Sequence, residues 1–349
     1  MKVIGINGGN GVILYPFRKY LTHNFEIRSV FHTPDDIQWK LNFGDIPFHR
    51  TIVDFYEKYM LDELVYGKID IIIGAPDCGH SSILAYSRAK HLSDPLENES
   101  LTFFLRSVAI VRPTLFLMEN LPKILEMVPL ESFQKFFPKY KLIVHTLPVT
   151  EWGNSQKTRI RLVMMGIDSS LPEELLKKIQ YQLSYVYKVK ELKTCEELLE
   201  GLDEEDPEFG HIREDIDDII TLYGGFKLSL REIQKFWLNH PKLKRWPVND
   251  KKFTTAPGVY RNLENDYPAV ARKANRQFNH MGLQMSPREL ARIQGVPDKF
   301  KLHFDKSEKT FWINKGRVAV TKTPPYQIGR WFYNQLRKVE ELWTLLKNT

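Results

Sequence analysis

Four short apolar runs constrain this chain more than any other feature: VIGI at 3–6, IDIIIG at 69–74, LFLME at 115–119 and RLVMMG at 161–166. Each is β-branched or apolar and is bounded by Gly, Pro or polar residues, the pattern of strands buried on both faces of a parallel sheet. Helical stretches such as Ile52 to Val65 lie between them. The alternation predicts an α/β, doubly wound sheet over the first 170 residues. Sheets of this kind bind ligands at the carboxyl ends of their strands. The loops that follow the four runs are therefore where chemistry is expected.

The 349 residues are about twice a common domain length, which favours two domains or one domain with a large insertion. With 42% hydrophobic and 27% charged residues, disordered and fibrous classes are excluded. No apolar run approaches the roughly 18 residues of a membrane span, and Gly and Asn interrupt any signal-peptide core in the first residues. Neither a membrane nor secretion is expected. Two cysteines, Cys78 and Cys195, are too few for a disulfide framework or a Cys-rich zinc site, so no metal and a reducing, cytoplasmic setting are expected.

Charge separates the second half of the chain from the first. Glu196 to Asp218 holds twelve acidic residues and one Arg, whereas Lys235 to Arg276 holds ten basic and three acidic residues. Against a polyanion the acidic stretch would be repelled and the basic one attracted, and the overall charge of +7 suits such a partner. Interleaved aromatics and prolines point to a loop-rich second domain. A solvated charge mosaic is the plain alternative.

Four loops carry candidate chemistry. Gly5-Ile-Asn-Gly-Gly-Asn-Gly11 leaves the first run as a turn whose amides can approach a ligand, or as a mere tight turn; Leu14 stands where a dinucleotide fingerprint would need its third glycine. Asp45, after Gly44, offers a carboxylate to a ligand or caps a helix. Ala75-Pro-Asp-Cys78-Gly-His-Ser-Ser82 follows the second run and presents a thiol where such sheets expose reactive groups, although a lone cysteine is often inert. Glu119 ends the third run, where burial would let it protonate a ring nitrogen. Arg159 and Arg161, two apart before the fourth run, would point to one side of an extended segment.

In this order, these segments resemble the DNA cytosine-5 methyltransferase family from residue 3 to about residue 335. The most specific match is Ser286-Pro-Arg-Glu-Leu-Ala-Arg-Ile-Gln-Gly-Val-Pro-Asp298, close to that family's ninth motif; Tyr326-Gln-Ile-Gly329 begins its tenth. The resemblance implies a Rossmann-like, S-adenosylmethionine-dependent methyltransferase domain (1–185, completed by 320–349). It also implies a smaller target-recognition domain that includes the ninth-motif segment (186–319). By the same resemblance a target cytosine leaves the duplex, Cys78 adds to its C6, Glu119 holds N3, and Arg161 with Arg159 contacts O2 and nearby backbone. Ile6, Gly8, Gly11, Asp45, Asp77, Gly329 and Arg330 align with cofactor positions. Ser82, Lys244, Arg245, Lys251, Lys252, Arg261 and Arg272 would face double-stranded DNA. A monomer is the expected state, and a cognate restriction endonuclease is a genetic rather than a physical partner in one setting of the family.

The chain departs from the family pattern around the cofactor. Ile6 replaces Phe, Asn10 replaces Gly, Phe31-His32 stands where an acidic residue is expected to end the second strand, and Asp77 precedes Cys78 in place of Pro. Gly79 replaces Gln, one extra residue separates Gln156 from Arg159, and Arg330-Trp331 follows where Asn is usual. A cation beside a sulfonium is unfavourable unless an anion lies between them. Two arrangements supply one: Asp77 pairs with Arg330, or Arg330 holds a carboxylate on the donor, as in carboxy-S-adenosylmethionine, giving 5-carboxymethylcytosine. An RNA cytosine methyltransferase and a catalytically silent DNA-binding relative on the same scaffold remain further readings.

Overall fold

The computed structural model describes residues 1–8, 11–26, 35–60, 68–76, 98–156, 159–186, 192–193, 197–198, 220–223, 226–229, 287–302, 320 and 323–348. The chain forms two compact units: Met1–Trp152 with Ile160–Lys188 and Pro324–Thr349, and Gly153–Arg159 with Val189–Thr323.

The first unit is built on a seven-stranded sheet in the order β3-β2-β1-β4-β5-β7-β6. Its strands are β1 Val3–Ile6, β2 Leu21–Phe25, β3 Phe48–His49, β4 Ile71–Gly74, β5 Leu115–Asn120, β6 Tyr140–Pro148 and β7 Ile160–Asp168. β1, β4 and β5 are buried throughout, as their apolar runs predict, and on β5 the burial extends to Glu119 and Asn120 at its end. The chain moves outward from β1 to β2 and β3, then returns to pair β4 with β1, all in parallel. This reversal puts a topological switch point at the carboxyl ends of β1 and β4, where open α/β sheets bind ligands.

The fourth run does not follow the parallel expectation. β7 pairs antiparallel with both β5 and β6. The reason is connectivity: β7 follows β6 through a return at 149–159 rather than through a crossover helix, and a return of that kind reverses the strand. β2 and β6 escape the sequence pattern because polar residues interrupt their apolar ones, and β3 because it is only two residues long.

Helices cover both faces of the sheet. α1 spans Asp35–Phe43, α2 Ile52–Met60 and α3 Glu99–Val111. The rest of the helix expected to reach Val65 lies outside the described residues. α2 starts at a capping box, in which the Asp54 amide donates to the Thr51 hydroxyl and Asp54 accepts from the Thr51 amide. α3 is capped by Asn98, which accepts from Leu101, and it stops at Arg112 in the left-handed region. Phe55, Phe103, Phe104 and Val108 of α2 and α3 pack with Ile4, Ile6, Ile72 and Phe116 of the sheet. Burying each such side chain contributes about 1.5–3 kcal/mol.

Three more helices follow: α4 Ile124–Met127, α5 Leu130–Phe136 and α6 Glu173–Ser184. α7, Pro287–Ile293, belongs to the second unit, which also holds an antiparallel pair, β8 Ile220–Tyr223 with β9 Phe226–Ser229. The chain then returns to the first unit as α8 Tyr326–Arg337 and α9 Glu340–Asn348. Phe332 of α8 packs on Phe17 in the 3-10 turn Tyr15–Tyr20, ring centroids 6.0 Å apart. Among the described residues no helix is long and apolar enough to cross a membrane.

Candidate active site

At the tip of β1, Ile6 is buried and Asn7 takes a positive φ of 53°. The strain of that conformation is offset by contacts: Asn7 donates through Nδ2 to the hydroxyl and the carbonyl of Ser100 at 2.7 and 3.1 Å, and its amide donates to Phe25. The turn therefore leaves β1 in a fixed direction. Gly8 faces Leu14, and Gly11 has a φ of 81° with the Phe43 ring 2.4 Å from where a Cβ would stand. Phe43 stacks on Trp39 at 4.0 Å, and Trp39 donates to the Ile46 carbonyl. The aromatic end of α1 thus closes on the glycine turn, and Asp45 projects, exposed, from the bend just after it.

The second strand corrects one of the departures. β2 ends at Phe25, directly opposite Ile6, and the next residue is Glu26. A carboxylate does close this strand, five residues before Phe31-His32, which lie outside the described residues. Sequence reading missed it because LTHNF is too polar to look like a strand; the signal was the Asn-Phe-Glu sequence itself, about 20 residues after the glycine turn.

Beside β1, the chain leaves β4 with the Ala75 amide donating to the Asn7 carbonyl. Asn120, at the end of β5, donates to the Pro76 carbonyl at 3.1 Å and accepts from the Leu121 amide at 2.8 Å. This buried carboxamide fixes the segment that runs into Asp77 and Cys78. Asp77, Cys78 and Ser82 themselves lie outside the described residues, as do Lys244, Arg245, Lys251, Lys252, Arg261 and Arg272.

Glu119 is 6% exposed, and its Oε1 lies 2.8 Å from the Arg161 Nε. The register explains the pairing: Glu119 faces Val163 across β5 and β7, and Arg161, two residues before Val163, shares that face. Arg161 also donates to the Ile160 carbonyl. β7 begins at Ile160, so Arg161 lies on the strand and Arg159 just before it. Arg159 belongs to the second unit, where its guanidinium donates to the Thr323 carbonyl at 2.9 Å.

In that second unit the residue before the insertion is also pinned. Gln156 donates to the Gln294 side chain at 3.0 Å and to the Ile293 carbonyl, and Asn154 donates to the Gln294 carbonyl. The ninth-motif stretch thus holds the segment that carries Gln156 and Arg159. Within the same stretch Arg292 grips Asp298 with two nitrogens, at 2.9 and 3.0 Å.

The tenth-motif segment packs on the turn after β1. A Cβ on Gly329 would stand 2.1 Å from the Ile13 carbonyl oxygen, so only glycine admits this approach of α8. Arg330 is exposed and, among the described residues, makes no ion pair. Burial pushes the Tyr326 hydroxyl upward, with Tyr15 adding to the effect and Arg330 opposing it. Trp331 turns the other way: it is buried, donates to the Tyr185 carbonyl and packs edge-on against His145 and Trp152. Its novelty in the motif is a matter of packing.

A family model for C-5 cytosine-specific DNA methylases matches residues 38–317. Among solved structures, a prophage-encoded E. coli protein described as a DNA modification methyltransferase matches at 17% identity, covering 98% of this chain and 99% of that one with a TM-score of 0.61. The S. pombe Dnmt2 methyltransferase and the Entamoeba histolytica methyltransferase EhMeth each match at 14% identity, with 97% of this chain and 98% of theirs covered and TM-scores of 0.55. No curated protein matches the chain.

Proposed function

From the premise that the chain belongs to the C-5 cytosine-specific DNA methylase family, we propose that it modifies C5 of cytosine in double-stranded DNA with Cys78 as nucleophile. The observation that carries this reading is the pairing of buried Glu119 with partly buried Arg161 beside the Asn120-anchored exit of β4, four residues before Cys78.

The residues around the β1 turn fit S-adenosylmethionine. Glu26 ends β2 with a carboxylate suited to ribose hydroxyls, and Asp45 stands exposed just after α1, whose Trp39 and Phe43 rings close on Gly11. When bound, that cofactor supplies an electrophilic one-carbon group at its sulfonium. Cys78 adds through Sγ to C6 of the extruded cytosine and the displaced electron pair makes C5 nucleophilic. Glu119 holds a proton at N3, and Arg161 orients that carboxyl group and would contact O2. After transfer a base takes the C5 proton, the C5–C6 double bond re-forms and the C6–S bond breaks, releasing Cys78 as thiolate. The basic half of the second unit would track the phosphate backbone and make binding salt-dependent.

A second reading concerns the transferred group. Arg330 is exposed beside the turn that follows β1, with no ion pair among the described residues. A guanidinium there suits a carboxylate on the donor, and the product would be 5-carboxymethylcytosine.

Duplex DNA carrying 5-fluorocytosine tests the main reading, because fluorine cannot leave as a proton does and the C6 adduct persists. A covalent complex that forms with wild type and not with Cys78→Ala is expected. Trapping on small RNA alone would make this an RNA enzyme; no trapping on either would leave a DNA-binding relative without chemistry.

A further inference from the structure

Asn24 on β2 is fully buried, and among the described residues neither its Oδ1 nor its Nδ2 has a hydrogen-bond partner. Its backbone amide donates to the Pro47 carbonyl, so only the carboxamide is left over. A carboxamide brings one acceptor oxygen and two N–H donors. Burying them unpaired costs their desolvation, and a folded protein that keeps such a group uses it as a reservoir of strain or for function.

Its place in the fold says which. Asn24 stands opposite Gly5 in the register of β1 and β2, and a Cβ on Gly5 would lie 2.2 Å from Oδ1. Gly5 therefore clears the space that the carboxamide fills. The same oxygen lies 3.6 Å from where a Cβ of Gly8 would stand, which puts the carboxamide directly beneath the turn that leaves β1. The ladder runs one residue past β2, where the Glu26 amide donates to His49, and alternation puts the Glu26 side chain on the same side as Asn24. The turn is tied at its start by Asn7, whose amide donates to Phe25 and whose carbonyl accepts from Ala75. Beyond Asn7 it passes through Gly8 and Gly11, residues whose backbone has the latitude to turn a peptide group toward Asn24. A glycine in a buried strand and an unpaired amide opposite it both cost stability, and together they set a hydrogen-bonding group against the backbone of this turn.

We propose that Asn24 is a positioning residue for the sulfonium donor: when the donor seats on the glycine turn, a peptide group of the turn rotates onto the Asn24 carboxamide, and the hydrogen bond gained there adds to donor affinity. This rests on the reading of the β1 turn as the S-adenosylmethionine site and adds to it a residue that does not touch the donor. The carboxamide costs stability in the donor-free protein and repays it in the bound one, a difference between two states that binding can draw on.

The test uses the full chain with Asn24→Leu, which keeps the branched outline without its polar atoms, and Asn24→Val, which drops the outer atoms should Leu overfill the space against Gly5. Melting without donor and titration calorimetry with S-adenosylmethionine are read on both. Opposite signs are expected: at least one variant melts at or above wild type without donor, and both bind the donor about fivefold or more weakly. Both variants melting below wild type without donor would make the carboxamide a structural group and overturn the proposal, as would wild-type donor affinity in either variant. If the wild-type protein itself takes up no donor, the cofactor reading falls and the role of Asn24 with it.

Discussion

Replacing Gly329 by Ala should separate the packing of α8 from the chemistry it serves. The new methyl carbon would stand 2.1 Å from the Ile13 carbonyl oxygen, whereas such carbon–oxygen contacts need about 3.3 Å. The neighbour is backbone, so α8 must retreat by about 1.2 Å. Overpacking of this kind costs up to about 3 kcal/mol, and the better helix propensity of Ala returns about 1. A net loss of about 2 kcal/mol corresponds to a fall in Tm of about 4–8 °C for a unit of this size. Misplacement by about 1 Å of groups that position a substrate costs about 100-fold in rate. Thermal melting and transfer rates over a range of donor concentrations measure both. A variant that melts within about 1 °C of wild type and keeps its donor KM would refute the close approach of α8 to the β1 turn.

Three further changes probe the site's supports. Asn120→Ala should remove the donor to the Pro76 carbonyl, costing about 1–3 kcal/mol of stability and lowering the rate while donor affinity holds, as read by melting and single-turnover assays. Arg161→Met should withdraw the guanidinium from Glu119, costing about 1.5–3 kcal/mol and slowing trapping on 5-fluorocytosine DNA, with Arg161→Lys recovering part of the stability. Burial raises the Asp54 carboxyl, but hydrogen bonds from Thr51 and Arg50, with His49 nearby, hold it below its ordinary value. Its contribution is present above the unfolded value, about 3.9, and is lost as pH falls through the folded one. Asp54→Asn should therefore be less stable than wild type near neutral pH, and the two should converge in acid.

The central strands were legible because their residues obey local rules. VIGI, IIIG and the LFLM part of β5 are apolar throughout, so burial on both faces follows from composition, and the loops at their ends follow from the sheet's topology. Glu119 was readable as a carboxylate at a strand end; its partner was not, because the pairing with Arg161 depends on the register of β7, a non-local property. Direction was illegible for the same reason, since an apolar run says nothing about which way the chain enters it. Glu26 was hidden by the polar strand before it, and Asn7 and Asn120 by the ordinary look of an asparagine in a turn. Only the structure shows that these two side chains fix the exits of β1 and β4.

Nucleoside mass spectrometry on DNA from cells expressing wild type or Cys78→Ala tests the central claim most directly. A 5-substituted cytosine that is present with wild type and absent with Cys78→Ala is the predicted result, its mass giving methyl or carboxymethyl. A modified cytosine that persists in the Cys78→Ala sample, or none with wild type, would contradict the account.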